Sequence, residues 1–95
     1  MTVKLLNTVI AKTAKEFEVT PAEIKADSRH TAVAALARQV SMYVYMFHER
    51  CFQCTVAERF RRDPSTVTYA MKKVAKLMKT DKEFKTRVER LCKAA

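Results

Sequence analysis

The chain has 95 residues, 48% of them apolar, and a net charge of +9 from 19 Lys and Arg against 10 Asp and Glu. That length suits one modest core rather than two, the apolar share is too high for a disordered chain, and no uninterrupted apolar run approaches the roughly 20 residues that cross a bilayer. The opening MTVKLLNTVIAKTAKEF spreads lysines among its apolar residues and lacks a small-residue cleavage site, which argues against a signal peptide and makes the cytoplasm the expected compartment.

No glycine and only two prolines occur, and apolar residues recur at steps of three and four. The expected fold is therefore all-α, a compact bundle of about six helices forming a single domain over residues 1–95. Leu5, Leu6, Val9, Ile10 and Phe17 make the apolar face of a first helix. Thr20, Pro21 and Glu23 then spell a capping box, with Thr20 as N-cap, Pro21 where no donor is needed and Glu23 reaching back to the Thr20 N–H. A short second helix starts there and ends around residues 26–31. Val33, Leu36, Ala37, Val40, Val44 and Phe47 mark a long third helix of four turns or more, expected to be the central one. Val56, Ala57 and Phe60 begin a short fourth helix, and a tight connection follows. Asp63 is expected to cap the fifth helix, with Pro64 at its first position and Val67, Ala70, Met71, Val74, Leu77 and Met78 at helical spacing. Phe84, Val88, Leu91 and Cys92 belong to a last helix.

The positive charge is concentrated. Residues 59–79 hold Arg59, Arg61, Arg62, Lys72, Lys73, Lys76 and Lys79 against Asp63 alone, which is +6 of the +9. Such a cluster attracts phosphates, and the binding it supports weakens steeply with salt. A short helix, a three-residue turn and an amphipathic helix, packed on a longer helix, form the pattern of a helix-turn-helix. In that geometry the fifth helix, about residues 64–78, is the recognition helix, and its N-terminal residues enter the major groove. Ser65, Thr66, Thr68 and Tyr69 lie off its apolar stripe. Ser and Thr hydroxyls can meet base edges or phosphates, and a Thr methyl can touch thymine. The same first turn is also what an ordinary helix cap prefers.

These residues resemble the C-terminal DNA-binding domain of the bacterial replication initiator DnaA, a Trp-repressor-like helix-turn-helix, over nearly the whole chain. ARQVSMYVYMF (37–47) is similar to the family's A-R-Q-x-A-M-Y-L segment, and RDPSTVTYAMKKVAKL (62–77) to its R-D-H-[ST]-T-V-x-x-A-x-x-K-I signature. VTPAEIKADSR (19–29) resembles the stretch leading to the family's minor-groove arginine. The resemblance implies Arg29 for the minor groove, Arg38 for phosphate, Asp63 and Ser65 for bases, and Thr66 for base or phosphate. Three positions depart from the pattern: Pro64 replaces a base-contacting His, FRRD replaces F-G-x-R-D, and Met46 stands where a basic residue is usual. A glycine-free chain carries no Gly-rich phosphate loop, and the expectation is a free-standing relative of the DNA-binding module, of the kind a phage or mobile element carries, acting as a small replication or transcription regulator.

The expected partner is double-stranded DNA, with no membrane and no small-molecule substrate; the sites are Arg29, Arg38, Arg61, Arg62, Asp63, Pro64, Ser65, Thr66, Thr68, Tyr69, Lys72, Lys73 and Lys76. The alternatives are a nonspecific DNA binder without base readout, or a protein-interaction module for an acidic partner. His48, Cys51 and Cys54, with Cys92, have ligand chemistry suited to zinc but not the spacing of paired zinc knuckles, so no metal or other cofactor is expected and the cysteines read as buried or half-buried reduced thiols. His30 and His48 lack a neighbouring nucleophile, so no catalysis is expected. Met42, Tyr43, Tyr45 and Met46 read as core, and Tyr69 as partly exposed.

Overall fold

The computed structural model describes residues 2–25 and 31–94, with side chains over 5–25 and 31–93. Six helices follow one another among them: α1 Thr2–Phe17, α2 Pro21–Lys25, α3 Ala32–Glu49, α4 Gln53–Phe60, α5 Pro64–Thr80 and α6 Lys82–Ala94. No strand occurs among the described residues, and no helix there is long and apolar enough to cross a membrane. The all-α bundle is therefore as expected.

α3 is the strut, because each of the other five helices packs on it. Every helix also contributes to one hydrophobic cluster, which runs from Val9, Ile10 and Phe17 through Ile24, Val40, Val44, Val56, Val67 and Val74 to Val88 and Leu91. Being surrounded, α3 buries polar groups as well as apolar ones. Ser41 is fully buried and returns its hydroxyl to the Ala37 carbonyl at 2.8 Å. Two ends of the stripe expected on α3 do not reach the core: Val33 is 49% exposed and Phe47 58%. They lie in its first and last turns, while Ala34, Met42 and Tyr45, off that stripe, are buried.

α2 has five residues, too few to hold a helix by itself, and three devices keep it. The capping box forms as expected, with the Thr20 N–H donating to Glu23 Oε1 at 3.0 Å and the Glu23 N–H to Thr20 Oγ1 at 3.1 Å. Ile24 is buried. Arg38 of α3 then catches the far end, Nε donating to the Ile24 carbonyl at 2.7 Å and a terminal nitrogen to the Glu23 carbonyl at 3.0 Å. A cation at the C-terminal carbonyls of a helix also complements its dipole.

α6 is stapled to the end of α1. Arg87 donates to the Glu16 carboxylate at 2.8 Å and to the Glu16 carbonyl at 2.9 Å, while its guanidinium lies 4.4 Å from the centroid of the Phe17 ring. Arg90 adds a 3.3 Å contact to the same carboxylate. α4 is held to α3 by Tyr45, whose ring is buried and meets Phe60 edge-on at 5.9 Å. Arg59 donates to the Tyr45 hydroxyl and approaches Glu49 at 3.4 Å.

A chain without glycine has to end helices with other residues. Glu18, Arg50 and Arg61 take the left-handed conformation, with φ of 57°, 50° and 55°. At Arg61 the N–H donates to the Glu58 carbonyl at 3.2 Å and the Arg62 N–H reaches the Ala57 carbonyl at 2.8 Å, closing a Schellman turn between α4 and α5. For a residue bearing a Cβ this conformation costs about 1–2 kcal/mol. Arg61→Gly is accordingly expected to raise the melting temperature, by the equivalent of about 0.5 kcal/mol, and the β-branched Arg61→Val to lower it. A melting series that ranks Val above Gly contradicts this account of the turn. Arg38→Met should cost about 1.5–3 kcal/mol in urea unfolding, because two carbonyls at the end of α2 lose charged donors.

Candidate nucleic-acid interface

α5 divides lengthwise. Val67, Ala70, Met71 and Val74 are buried against the core, whereas Pro64, Ser65, Thr66, Tyr69, Lys72, Lys73 and Lys76 are exposed on the other side. The preceding turn adds an exposed Arg61 and a half-buried Arg62. Pro64 occupies the first helical position, where the missing N–H costs nothing.

Asp63 stands at the N-cap of α5 as expected, but its carboxylate makes no capping hydrogen bond. The Thr66 N–H it would receive is taken by the Asp63 carbonyl at 3.0 Å, and the Val67 N–H bonds the same oxygen at 3.3 Å. The carboxylate is exposed beside the first turn.

Two concavities flank Tyr69, which is 54% exposed. One, about 250 Å3, lies between α3 and the start of α5, where Arg62, Thr66 and Tyr69 face Arg38 and Gln39. The other is a shallow depression of about 480 Å3 lined by Tyr69, Lys72, Lys73, Lys76 and Leu77. Lys73 Nζ lies 6.0 Å from the centroid of the Tyr69 ring, within reach of a cation–π contact. The structure thus brings Arg62, Thr66, Tyr69 and the three lysines onto one continuous face.

Two expected contacts are placed differently. Arg38, read as a phosphate ligand, is only 7% exposed and commits two donors to the α2 carbonyls. Thr68, read as a groove contact, is half-buried, its hydroxyl 2.7 Å from Gln53 Oε1 and 3.1 Å from the Pro64 carbonyl. The partner from α4 draws that hydroxyl to the side of the helix, away from Ser65 and Thr66. Gln53 itself carried no motif by which the sequence could single it out. Arg29 lies outside the described residues.

Burial raises the pKa of the Tyr45 phenol, with Arg59 opposing part of the rise, so Tyr45 stays a neutral hydrogen-bonding group behind the turn. Burial likewise raises the thiols of Cys51 and Cys92. All three cysteines are free, and Cys54 is exposed rather than half-buried, because it sits in the outward first turn of α4. Among the described residues, no three His, Cys, Asp or Glu side chains converge as a metal site would need.

Comparison with known proteins matches residues 6–74 to the family described as the bacterial dnaA protein helix-turn-helix. The chain is 34% identical to the chromosomal replication initiator protein DnaA of Nautilia profundicola over 87 residues, covering 90% of this chain and 20% of that protein. It is 33% identical to that of Geobacter metallireducens and 31% to that of Geotalea daltonii, each over 81 residues, or 84% of this chain and 18% of theirs. The chain spans about a fifth of the length of these relatives. The matched segment runs from α1 into α5 and takes in the whole of α4, the Schellman turn and the first turns of α5, and the chain belongs to the bacterial DnaA helix-turn-helix family.

Proposed function

We propose that this chain binds double-stranded DNA with a base preference, laying α5 in the major groove as its recognition helix. The observation that carries this reading is the face of α5, where the exposed hydroxyls of Ser65 and Thr66 sit at the N-terminal turn and Lys72, Lys73 and Lys76 follow on the same exposed side. A helix-turn-helix reads bases with the first turns of its second helix and holds the phosphates with basic groups around it.

Ser65 and Thr66 are the base-reading pair, with Pro64 offering only apolar contact where the family pattern has a ring. Arg61, Arg62 and the three lysines neutralise phosphates. Tyr69, between the two concavities, packs against a sugar or phosphate. The Asp63 carboxylate repels phosphate and suits an amino group such as that of cytosine. Arg38 acts indirectly, by fixing α2 and the back wall of the groove beside Arg62. Membership of the family supports a role in replication or transcription control.

Selection of bound duplexes from a random library at about 0.15 M salt, against nonspecific competitor, is the direct test. An enriched motif is expected. Ser65→Ala and Thr66→Ala should each relax preference at one or two base pairs, by about 1–3 kcal/mol per position. Lys72→Ala and Lys73→Ala should weaken all duplexes alike and flatten the slope of log affinity against log salt by about 0.9 each. Equal affinity for every duplex would sink base readout and favour a nonspecific binder; capture by acidic peptides without any duplex binding would favour a protein-interaction module.

A further inference from the structure

Gln53 is the first residue of α4 and Thr68 lies at the end of the first turn and a half of α5, yet their side chains meet at 2.7 Å. The contact joins the two helices of the motif on the side where the exposed face of α5 begins. Neither residue is free in solvent; both are half-buried. Phe52, which precedes Gln53 at the N-cap, offers no side-chain cap and is 81% exposed, so the start of α4 has no capping side chain of its own to set its position.

A threonine inside a helix ordinarily turns its hydroxyl to the carbonyl four residues back, here Pro64 at 3.1 Å. The hydroxyl has one proton and two acceptors in reach, and the amide oxygen of Gln53 is the nearer. An amide is well suited to this place because it accepts from the hydroxyl with one end and keeps donors at the other.

Resting on the DNA-binding reading above, we infer that Gln53 is a positioning residue for base recognition: its bond to Thr68 sets the angle at which the first turns of α5 meet DNA. Thr68 is then an anchor within the protein, and the reading pair narrows to Ser65 and Thr66. The selectivity of α5 depends on a residue of α4 that stands outside the recognition helix.

The test compares selectivity, the ratio of affinities for the selected duplex and a scrambled duplex, in Gln53→Ala, Thr68→Val, the double variant and Gln53→Glu, each checked for native helicity by circular dichroism. Gln53→Ala and Thr68→Val should each reduce selectivity about fivefold, the order of one hydrogen bond, and the double variant should lose no more than either single one. Gln53→Glu keeps an acceptor for the Thr68 hydroxyl, so it should retain selectivity while its added charge weakens both duplexes alike. The inference is overturned if Gln53→Ala leaves selectivity intact, if the two losses multiply, or if Gln53→Glu loses selectivity as Gln53→Ala does. A wild-type chain without selectivity overturns the DNA-reading proposal and this inference together, whereas intact wild-type selectivity that Gln53→Ala does not change overturns the inference alone.

Discussion

The burial of α3 is the constraint on which the remaining structure depends. An 18-residue helix packed on by five others buries polar side chains along with apolar ones, and three of these find partners inside the protein. Arg38 holds the end of α2, Ser41 bonds its own helix, and Tyr45 takes a donor from Arg59. The Arg38 and Tyr45 bonds fix a neighbouring helix as well as satisfying a buried group. Leaving such a group without its partner costs about 1–3 kcal/mol, which makes them strong locators of α2 and α4.

The exposed basic face of α5 follows from that arrangement. Once Val67, Ala70 and Val74 are buried, the helical period leaves Ser65, Thr66, Tyr69, Lys72, Lys73 and Lys76 outside. α4 is held from behind by Tyr45 and Phe60 and in front by Gln53, with the Schellman turn closing the path between the helices. The two helices and their turn are thus joined by contacts at both ends of α4.

Much of this was legible from residue spacing. The capping box at Thr20 and Glu23, the apolar stripe of α5 and the all-α bundle were all readable, since they depend on neighbours within one turn of helix. Features that depend on a distant element were not. Val33 and Phe47 continue the period of α3, but the period alone cannot tell that both stay exposed. The resemblance implies a phosphate contact for Arg38, and only the α2 carbonyls beside it show where two of its donors go. Thr68 has the right angle on α5 for a groove contact, and only the position of Gln53 shows where its hydroxyl goes. At Asp63 the residue type named the N-cap position correctly, yet the backbone carbonyl had already claimed the donor. The lysine cluster survived folding unchanged because exposure is the low-energy state for such side chains in any arrangement.

The left-handed residues at Glu18, Arg50 and Arg61 have a thermal consequence. Their steric cost is an energy of the folded state, and it changes little with temperature. A chain lacking glycine is also stiffer when denatured, so it surrenders less backbone entropy on folding. That saving is multiplied by absolute temperature, whereas the steric cost is not. The exchange of glycine for side-chain-bearing residues at these helix ends therefore becomes more favourable to the folded state as the solution warms.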